Sequence, residues 1–210
     1  NGQLENEYYK EGIYVGYRYY DSFQKNVRFP FGFGLSYTKF KIETELVKID
    51  RTKVSITVKV TNIGSFDGKE VVQVYVSVPG HDKEFQRLVG YAKTNSIKPE
   101  SSEKVQISFD LSHDCTSHSQ KEAAWKLDSG FYIVRVGNSS RSTKVTAKIE
   151  IKKSVIILQC KNCCQCTDDF EELFSNNEQE QGNDDESTEI FSIESSSFST
   201  QKVDYTQPKI

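Results

Sequence analysis

The middle of the chain alternates hydrophobic and polar residues with a period of two, which is the pattern of β-strands that bury one face. Two segments show it most clearly, each with four aliphatic residues on one face: Val54, Ile56, Val58 and Val60, then Val72, Val74, Val76 and Val78. Similar alternation predicts further strands within residues 40–49, 87–97, 105–111, 130–137 and 143–153. About seven short strands separated by turn residues predict an all-β antiparallel sandwich over residues 38–153.

One of these strands begins with the spacing of a tyrosine corner, a connection in which a tyrosine hydroxyl bonds back to the main chain. Asp128, Gly130 and Tyr132 occupy alternate positions in the segment LDSGFYIV. In sandwich domains such a tyrosine fixes the crossing between the two sheets. We therefore predict this role for Tyr132, and the alternative is a turn followed by an exposed tyrosine.

The residues on either side of the predicted sandwich differ from it in composition and periodicity. Residues 1–37 are rich in tyrosine and phenylalanine and keep neither a helical nor a strand period, so we predict an extended connector that packs on another surface. Residues 154–210 are polar and serine-rich, with twelve acidic residues against two lysines from Asp168 onward. Such a segment buries too little apolar surface to offset its conformational entropy, so we predict a disordered acidic tail.

Composition and charge narrow the classes of function. The longest apolar stretches are broken by polar residues well before the roughly 18 residues that a membrane span needs, so the sequence predicts no membrane segment. The residues before the tail carry a small net positive charge, but their basic side chains are scattered along predicted strands, which argues against nucleic-acid binding. The chain opens on Asn1 and contains no methionine, so we expect it to be part of a larger polypeptide.

The titratable residues show no arrangement that would carry catalysis. Acid–base hydrolysis needs two carboxyl groups that converge on one bond. The acidic residues between positions 43 and 84 instead fall on predicted outward strand positions or turns: Glu43, Glu45, Asp50, Asp67, Glu70, Asp82 and Glu84. The three histidines fall in predicted loops, and His113 directly precedes Asp114, so we expect these two side chains to point apart. The sequence predicts no catalytic residue and no cofactor in this chain.

Four of the five cysteines lie close together at the start of the tail: Cys160, Cys163, Cys164 and Cys166. Thiolates at such spacing bind zinc or Cu(I) in some proteins. Structural zinc sites usually join two distant pairs, however, so we predict no metal site and keep these four as the candidates for one, with a local disulfide and incidental thiols as alternatives. Asn138 begins the single glycosylation sequon and falls in a predicted turn, which makes it a candidate for modification.

An ordered series of motifs resembles a known family. The motifs are EGIYVGYRYYD, FPFGFGLSYTKF, VTNIGSFDGKEVVQVYV, RLVGYAK, IKPESSEKVQISFDL and SGFYIVRVGNSS, and together they cover residues 8–151. In this order they resemble the carboxy-terminal fibronectin type III-like domain of glycoside hydrolase family 3, the β-glucosidase family. The chain departs from the family pattern at Pro99-Glu100-Ser101, where the family commonly has Pro-Gly-Glu.

The resemblance implies a fibronectin type III-like sandwich and a division of labour within a longer polypeptide. In that family a (β/α)8 barrel supplies an aspartate nucleophile, a following α/β sandwich domain supplies the acid/base glutamate, and the fibronectin-like domain is non-catalytic. Neither catalytic motif occurs in this chain. The implied function is a structural domain of an enzyme that hydrolyses terminal β-D-glucosyl or related residues of an oligosaccharide or glucoside. The family link favours an extracellular or lytic compartment.

The aromatic segment VRFPFGFGLSYTKF is the feature that this interpretation explains best. Its rings supply large apolar area, while Gly32 and Gly34 permit close backbone approach and unusual torsions. We therefore predict a docking surface for the catalytic domains of the same polypeptide, formed by Tyr17, Arg18, Tyr20, Phe29, Phe31, Phe33 and Tyr37. Two alternatives stay open: a loop that packs only on its own sandwich, and a free-standing fibronectin-type carbohydrate-binding or adhesion module.

Overall fold

The computed structural model describes residues 9–161, 173–175 and 188–203. Within these residues the secondary structure is almost entirely β, with two short helices, α1 (Tyr17–Ser22) and α2 (Leu111–Asp114), and a 3-10 turn at Ser195–Ser197. The strands are β1 (Phe40–Asp50), β2 (Lys53–Asn62), β3 (Val71–Ser77), β4 (Arg87–Lys93), β5 (Ser102–Asp110), β6 (Ser117–Ser119), β7 (Ala124–Leu127), β8 (Gly130–Ser139), β9 (Ser142–Ile151), β10 (Val155–Gln159), β11 (Glu189–Ile193) and β12 (Gln201–Lys202). The all-β prediction is confirmed.

The first sheet of the sandwich has the strand order β1-β2-β5, and both of its pairings are antiparallel. Along β2, fully buried residues alternate with exposed or half-buried ones, as the period-two pattern predicts. The four aliphatic side chains of that strand are completely buried, and β5 adds Val105, Ile107 and Phe109 to the same core. The apolar face of each strand is therefore the face that packs on the second sheet.

The second sheet has the order β11-β9-β8-β3-β4, and its internal strand β3 is buried on both faces. The valines of β3 enter the core, as predicted, but Gln73, Tyr75 and Ser77 on the opposite face are also at most 4% exposed. Residues of the connector cover that second face: the Gln73 amide donates to the Gly32 carbonyl, and the Tyr17 ring contacts Tyr75 edge to face. The alternating pattern of β3 predicted only the burial of its valine face, because the pattern contains no signal for the residues that cover the opposite face.

The connection into β8 has the geometry of a tyrosine corner. The Tyr132 hydroxyl donates a hydrogen bond to the Asp128 carbonyl at 2.9 Å, and the residue is 1% exposed. Gly130, which lies between them, has a φ of 134°, a conformation that a side chain disfavours. Burial raises the pKa of the Tyr132 hydroxyl above its ordinary value, since the ionised form would lose its hydration.

The connector is not extended throughout, because residues 17–22 form α1. A six-residue helix gains too little from its own hydrogen bonds to be stable alone, so its contacts with the sandwich must hold it. Two of its residues, Asp21 and Ser22, are buried there. The Ser22 hydroxyl accepts a hydrogen bond from the Phe85 amide at 2.9 Å.

The prediction of a disordered tail is wrong for the described part of residues 154–210. β10 pairs with β7 and with β12 in a third sheet of order β12-β10-β7-β6, and β11 pairs in parallel with β9. Ile193 is 6% exposed, and Phe191 and Phe198 pack against the core. Composition averaged over the acidic tail concealed two short apolar stretches, which gain stability by extending existing sheets. The remaining tail residues lie outside the described ranges.

Candidate docking surface

The main chain of the aromatic loop, residues 27–40, is bound directly to the sandwich. The Phe31 carbonyl accepts a hydrogen bond from the Ser140 amide at 2.8 Å, and the Gly32 carbonyl accepts one from Gln73 Nε2 at 3.1 Å. Gly32 has a φ of 80°, and a Cβ added there would overlap the Gln73 side-chain amide. The prediction of close approach and an unusual torsion therefore describes Gly32. It is wrong for Gly34, where a Cβ would meet open space and φ lies outside the left-handed region.

Four aromatic side chains of this loop are exposed, whereas Phe40 at its end packs against the core. The predicted docking residues Phe29, Phe31 and Phe33 are 60%, 47% and 48% exposed, and Tyr37 is 96% exposed. The rings of Phe29 and Phe33 stack on each other with centroids 5.4 Å apart. A contiguous exposed patch of large apolar side chains marks an interaction site more often than a free surface.

Helix α1 supplies the second half of the surface and is joined to the first by ring stacking. Tyr17 stacks on Phe31 with a centroid distance of 4.5 Å, and its hydroxyl accepts a hydrogen bond from the Leu88 amide at 2.9 Å. Tyr20, one turn along, is 44% exposed. The loop and the helix enclose a pocket of about 220 Å³, smaller than the roughly 300–1,000 Å³ typical of small-molecule sites.

A buried ion pair lies beneath the first turn of α1. Glu84 is 1% exposed, its Oε1 lies 2.7 Å from Arg87 Nε, and Arg18 Nε approaches the same oxygen at 4.0 Å. The prediction that Glu84 faces outward is wrong, because the turn that carries it folds back over the second face of β3 and is covered by the connector. Arg18 stays 40% exposed, so its guanidinium is available at the edge of the surface.

Two further polar residues attach α1 to the sandwich, and the sequence carried no signal for either. Arg141 Nε donates to Asp21 Oδ1 at 3.0 Å, and Gln86 Nε2 lies 3.4 Å from Asp21 Oδ2. Single polar residues in turns have no periodicity that distinguishes a buried anchor from a solvated side chain. Only the tertiary structure shows that all three meet.

Residues 70–140, which include β3, β4, β5 and β8, match a family described as a fibronectin type III-like domain. A β-glucosidase of Ruminococcus albus is 40% identical to the chain over 158 residues, covering 72% of this chain and 17% of the relative. This sandwich is the fibronectin type III-like domain of glycoside hydrolase family 3 β-glucosidases. The chain thus spans about a fifth of the length of the relatives that it matches.

Solved β-glucosidase structures contain the same sandwich. The enzyme of Paenibacillus barengoltzii superimposes with a TM-score of 0.70 and 31% identity, over 76% of this chain and 19% of that one. β-Glucosidase 3B of Thermotoga neapolitana, solved with α-D-glucose, gives a TM-score of 0.65 and 38% identity, over 71% and 21% of the two chains. The resemblance seen in the motif series is confirmed by both sequence and structure.

One groove in the described part of this fibronectin type III-like domain is lined by acidic side chains. This groove, about 530 Å³ between β1 and the β8–β9 hairpin, is lined by Glu43 and Glu45 among other residues. Each carboxylate is paired with a lysine, Glu43 with Lys41 at 2.7 Å and Glu45 with Lys104 at 2.6 Å. The hydrogen bond from Lys41 lowers the pKa of Glu43, whereas a general acid needs a raised pKa.

Two of the three histidines differ from their predicted loop positions, whereas His81 lies in a turn as predicted. His118 lies in β6, and His113 lies in α2 with Asp114. His113 Nδ1 is 2.8 Å from Asp114 Oδ1, so the expectation that these side chains point apart is wrong. The side chains of consecutive helical residues leave the helix axis in directions only about 100° apart, so the side chains of His113 and Asp114 can contact each other. The hydrogen bond and charge of Asp114 raise the pKa of His113, whose side chain is 88% exposed.

The remaining candidates also have defined surroundings where the structure describes them. Asn138 lies in β8 instead of a turn, and its Nδ2 donates to Glu70 Oε2 at 3.3 Å. A glycan on that nitrogen would replace one of its two hydrogens. Cys163, Cys164 and Cys166 lie outside the described residues, while Cys160 is a half-buried free thiol. Across the described ranges, no three His, Cys, Asp or Glu side chains are grouped as a metal site would need, and no helix is long and apolar enough to cross a bilayer.

Proposed function

We propose that this fibronectin type III-like domain is a non-catalytic part of a polypeptide that hydrolyses terminal β-D-glucosyl or related residues, and that its aromatic surface docks on the catalytic domains of the same polypeptide. The observation that carries the proposal is the opposite orientation of main chain and rings in the aromatic loop. Hydrogen bonds from Ser140 and Gln73 hold the main chain to the sandwich, while the phenylalanine rings stay about half exposed or more.

The composition of the surface supports a protein partner. Aromatic residues and arginine are enriched at protein interfaces, because they bury large areas at low entropic cost. Here Phe29 and Phe31 of the loop and Tyr20 of α1 line a pocket too small for an oligosaccharide. Arg18, also on α1, is 40% exposed. A loop that packed only on its own sandwich would bury these rings, so we favour docking over that alternative.

The docking proposal is tested by removing the stacked pair in the longest polypeptide that contains this chain. We expect Phe29→Ser with Phe33→Ser to lower its thermal stability and its turnover of an aryl β-glucoside, but to leave the melting temperature of the 210-residue chain nearly unchanged. Phe66→Ser is the matched control, because Phe66 is 62% exposed and lies outside the surface. Equal behaviour of the double variant and this control would contradict docking.

The absence of catalysis in this chain has a separate test. We expect the 210-residue chain to release no product from an aryl β-glucoside, because the pKa of Glu43, which lines the groove between β1 and the β8–β9 hairpin, is shifted in the wrong direction for a general acid. Any turnover that survives purification and is lost in Glu43→Gln or Glu45→Gln would contradict the non-catalytic assignment.

The carbohydrate-binding alternative has one observation in its favour. Trp125, the single tryptophan of the chain, is 43% exposed on β7, and His118 packs edge-on against its ring at a centroid distance of 5.4 Å. Because no second tryptophan contributes, its fluorescence reports directly on this face. We expect titration with a cello-oligosaccharide to leave the emission unchanged, and a saturable change would favour a binding module instead.

A further inference from the structure

We propose that the β8–β9 turn, formed by Ser140 and Arg141, positions the docking surface by binding both of its halves. This inference rests on the proposed docking function. It identifies the residues that fix the aromatic loop and α1 relative to each other. The turn lies between the end of β8 at Ser139 and the start of β9 at Ser142. Its two residues reach in different directions, one to the aromatic loop and one to α1.

Arg141 binds the helical half through three acceptors. Its Nε donates to Asp21 Oδ1 at 3.0 Å, and its Nη2 donates to the carbonyls of Tyr20 and Lys25 at 3.0 and 2.6 Å. The Tyr20 carbonyl, which also accepts from the Lys25 amide, lies in α1, and Lys25 follows the helix. One guanidinium therefore binds the helix and the residues after it, and it also neutralises Asp21. The Asp21 side chain is only 5% exposed, and a buried carboxylate of this kind needs a paired charge.

Ser140 binds the loop half through its main chain. The Ser140 amide donates to the Phe31 carbonyl at 2.8 Å, and the Ser140 carbonyl accepts a short hydrogen bond from Gln86 Nε2. Gln86 is itself completely buried and also approaches Asp21. The same turn therefore fixes the residue that stacks on Tyr17 and the helix that carries Tyr17.

The pairing of the hairpin leaves this turn little freedom to move. A Cβ added to Gly137 would overlap the Ser142 carbonyl, so the two strands approach each other more closely than most residues permit at that point. The register shifts between Gly137 and Ser139, and an irregularity of this kind bends a strand locally. A turn that binds both the aromatic loop and α1 lowers the entropic cost of docking, because the surface is already ordered before it meets its partner.

The test measures amide hydrogen exchange in the 210-residue chain. In Arg141→Gln we expect the amides of Phe23 and Lys25, which bond to the Tyr19 and Tyr20 carbonyls at 2.9 Å, to exchange about tenfold faster or more. Amides of β2 should keep their rates. Ser140→Ala is the matched control: its hydroxyl has no hydrogen-bond partner among the described residues, and its main-chain bond to Phe31 survives the change.

Two outcomes would overturn the positioning role of the turn. Unchanged exchange at Phe23 and Lys25 would show that Arg141 does not hold α1, and equal acceleration in β2 would show a merely global effect. If Arg141→Gln unfolds the chain, Arg141→Lys takes its place, because lysine keeps the charge but lacks the planar set of donors of arginine. We expect this variant to accelerate exchange selectively in α1. Uniform acceleration would again overturn the positioning role. The exchange measurement involves no partner domain. The Phe29 and Phe33 test can therefore contradict docking while the positioning role of the turn is supported, and the exchange result can contradict the positioning role while docking is supported.

Discussion

At the scale of single residues, the turn before β5 contains a strained substitution. Glu100 has a φ of 62° and its amide donates to the Asn62 carbonyl at 2.9 Å, so the turn is formed despite the side chain. This is the position at which the family pattern commonly has glycine. A non-glycine residue in the left-handed region costs about 1–2 kcal/mol per residue, and the fold tolerates this cost because the hydrogen bonds of Asn62 hold the turn.

We therefore expect Glu100→Gly to raise the free energy of unfolding by about 0.5–1 kcal/mol, the relief of strain being reduced by the greater entropy of glycine in the unfolded chain. Urea unfolding measures the change. Glu100→Ala removes the same exposed carboxylate but keeps the Cβ, so it should give no such gain. Equal stabilisation by alanine and glycine would show that charge, and not backbone strain, is the cause.

At the scale of elements, the two glycines of the aromatic loop differ in their need for glycine: the backbone geometry requires it at Gly32 but not at Gly34. Gly32 combines a positive φ with the overlap that a Cβ would make with Gln73, whereas Gly34 has open space around it. We expect Gly32→Ala to lower the free energy of unfolding by about 2 kcal/mol and Gly34→Ala to raise it by about 0.5 kcal/mol. Denaturant unfolding of both variants checks the prediction, and similar losses in the two would contradict the geometry of the loop.

Strand β11 offers a matched pair for the role of the tail. Ile193 is 6% exposed against the core, while Ile190 in the same strand is 69% exposed. We expect Ile193→Ala to cost about 2 kcal/mol of the free energy of unfolding, and Ile190→Ala to stay within about 0.5 kcal/mol of the original chain. If both variants unfold at the same urea concentration as the unchanged chain, β11 contributes no burial in solution.

At the scale of the whole molecule, the core holds ionisable groups in their neutral forms. Cys115, Tyr75 and Tyr132 are each at most 1% exposed, and burial raises the pKa of all three. The unfolded chain loses these protons near the ordinary values, about 8.5 for cysteine and about 10 for tyrosine, while the folded chain keeps them. The unfolded state then binds fewer protons, so stability is full below these values and falls as the pH rises above them.

We expect the free energy of unfolding to fall from about pH 9 upward, by up to about 1.4 kcal/mol per pH unit for each group that the unfolded state has ionised. Cys115→Ala removes the group that ionises first, so its stability curve should be flatter between about pH 9 and 10 than that of the original chain. Any packing that Cys115→Ala loses lowers the stability by the same amount at every pH, so it does not change the slope of the curve. Parallel curves would show that Cys115 does not titrate with unfolding.

The sequence by itself determined the sandwich and the identity of its core. Alternation of apolar residues in β2 and β5 is a local property, since neighbouring side chains of a strand point to opposite faces whatever the rest of the chain does. The ordered motifs likewise located the aromatic loop and the spacing around Tyr132. These features follow from short stretches of sequence, which is why they were predictable.

Only the tertiary structure decided what covers the second face of β3, and with it the shape of the docking surface. The contacts of Gln73 with Gly32 and of Arg141 with Asp21 join residues 41 and 120 positions apart. Isolated polar residues at such separation carry no periodic signal, and their burial depends on partners that the folded chain alone brings together. The same reason explains why β11, a five-residue strand within an acidic tail, was missed: its stability comes from the β9 edge that it covers.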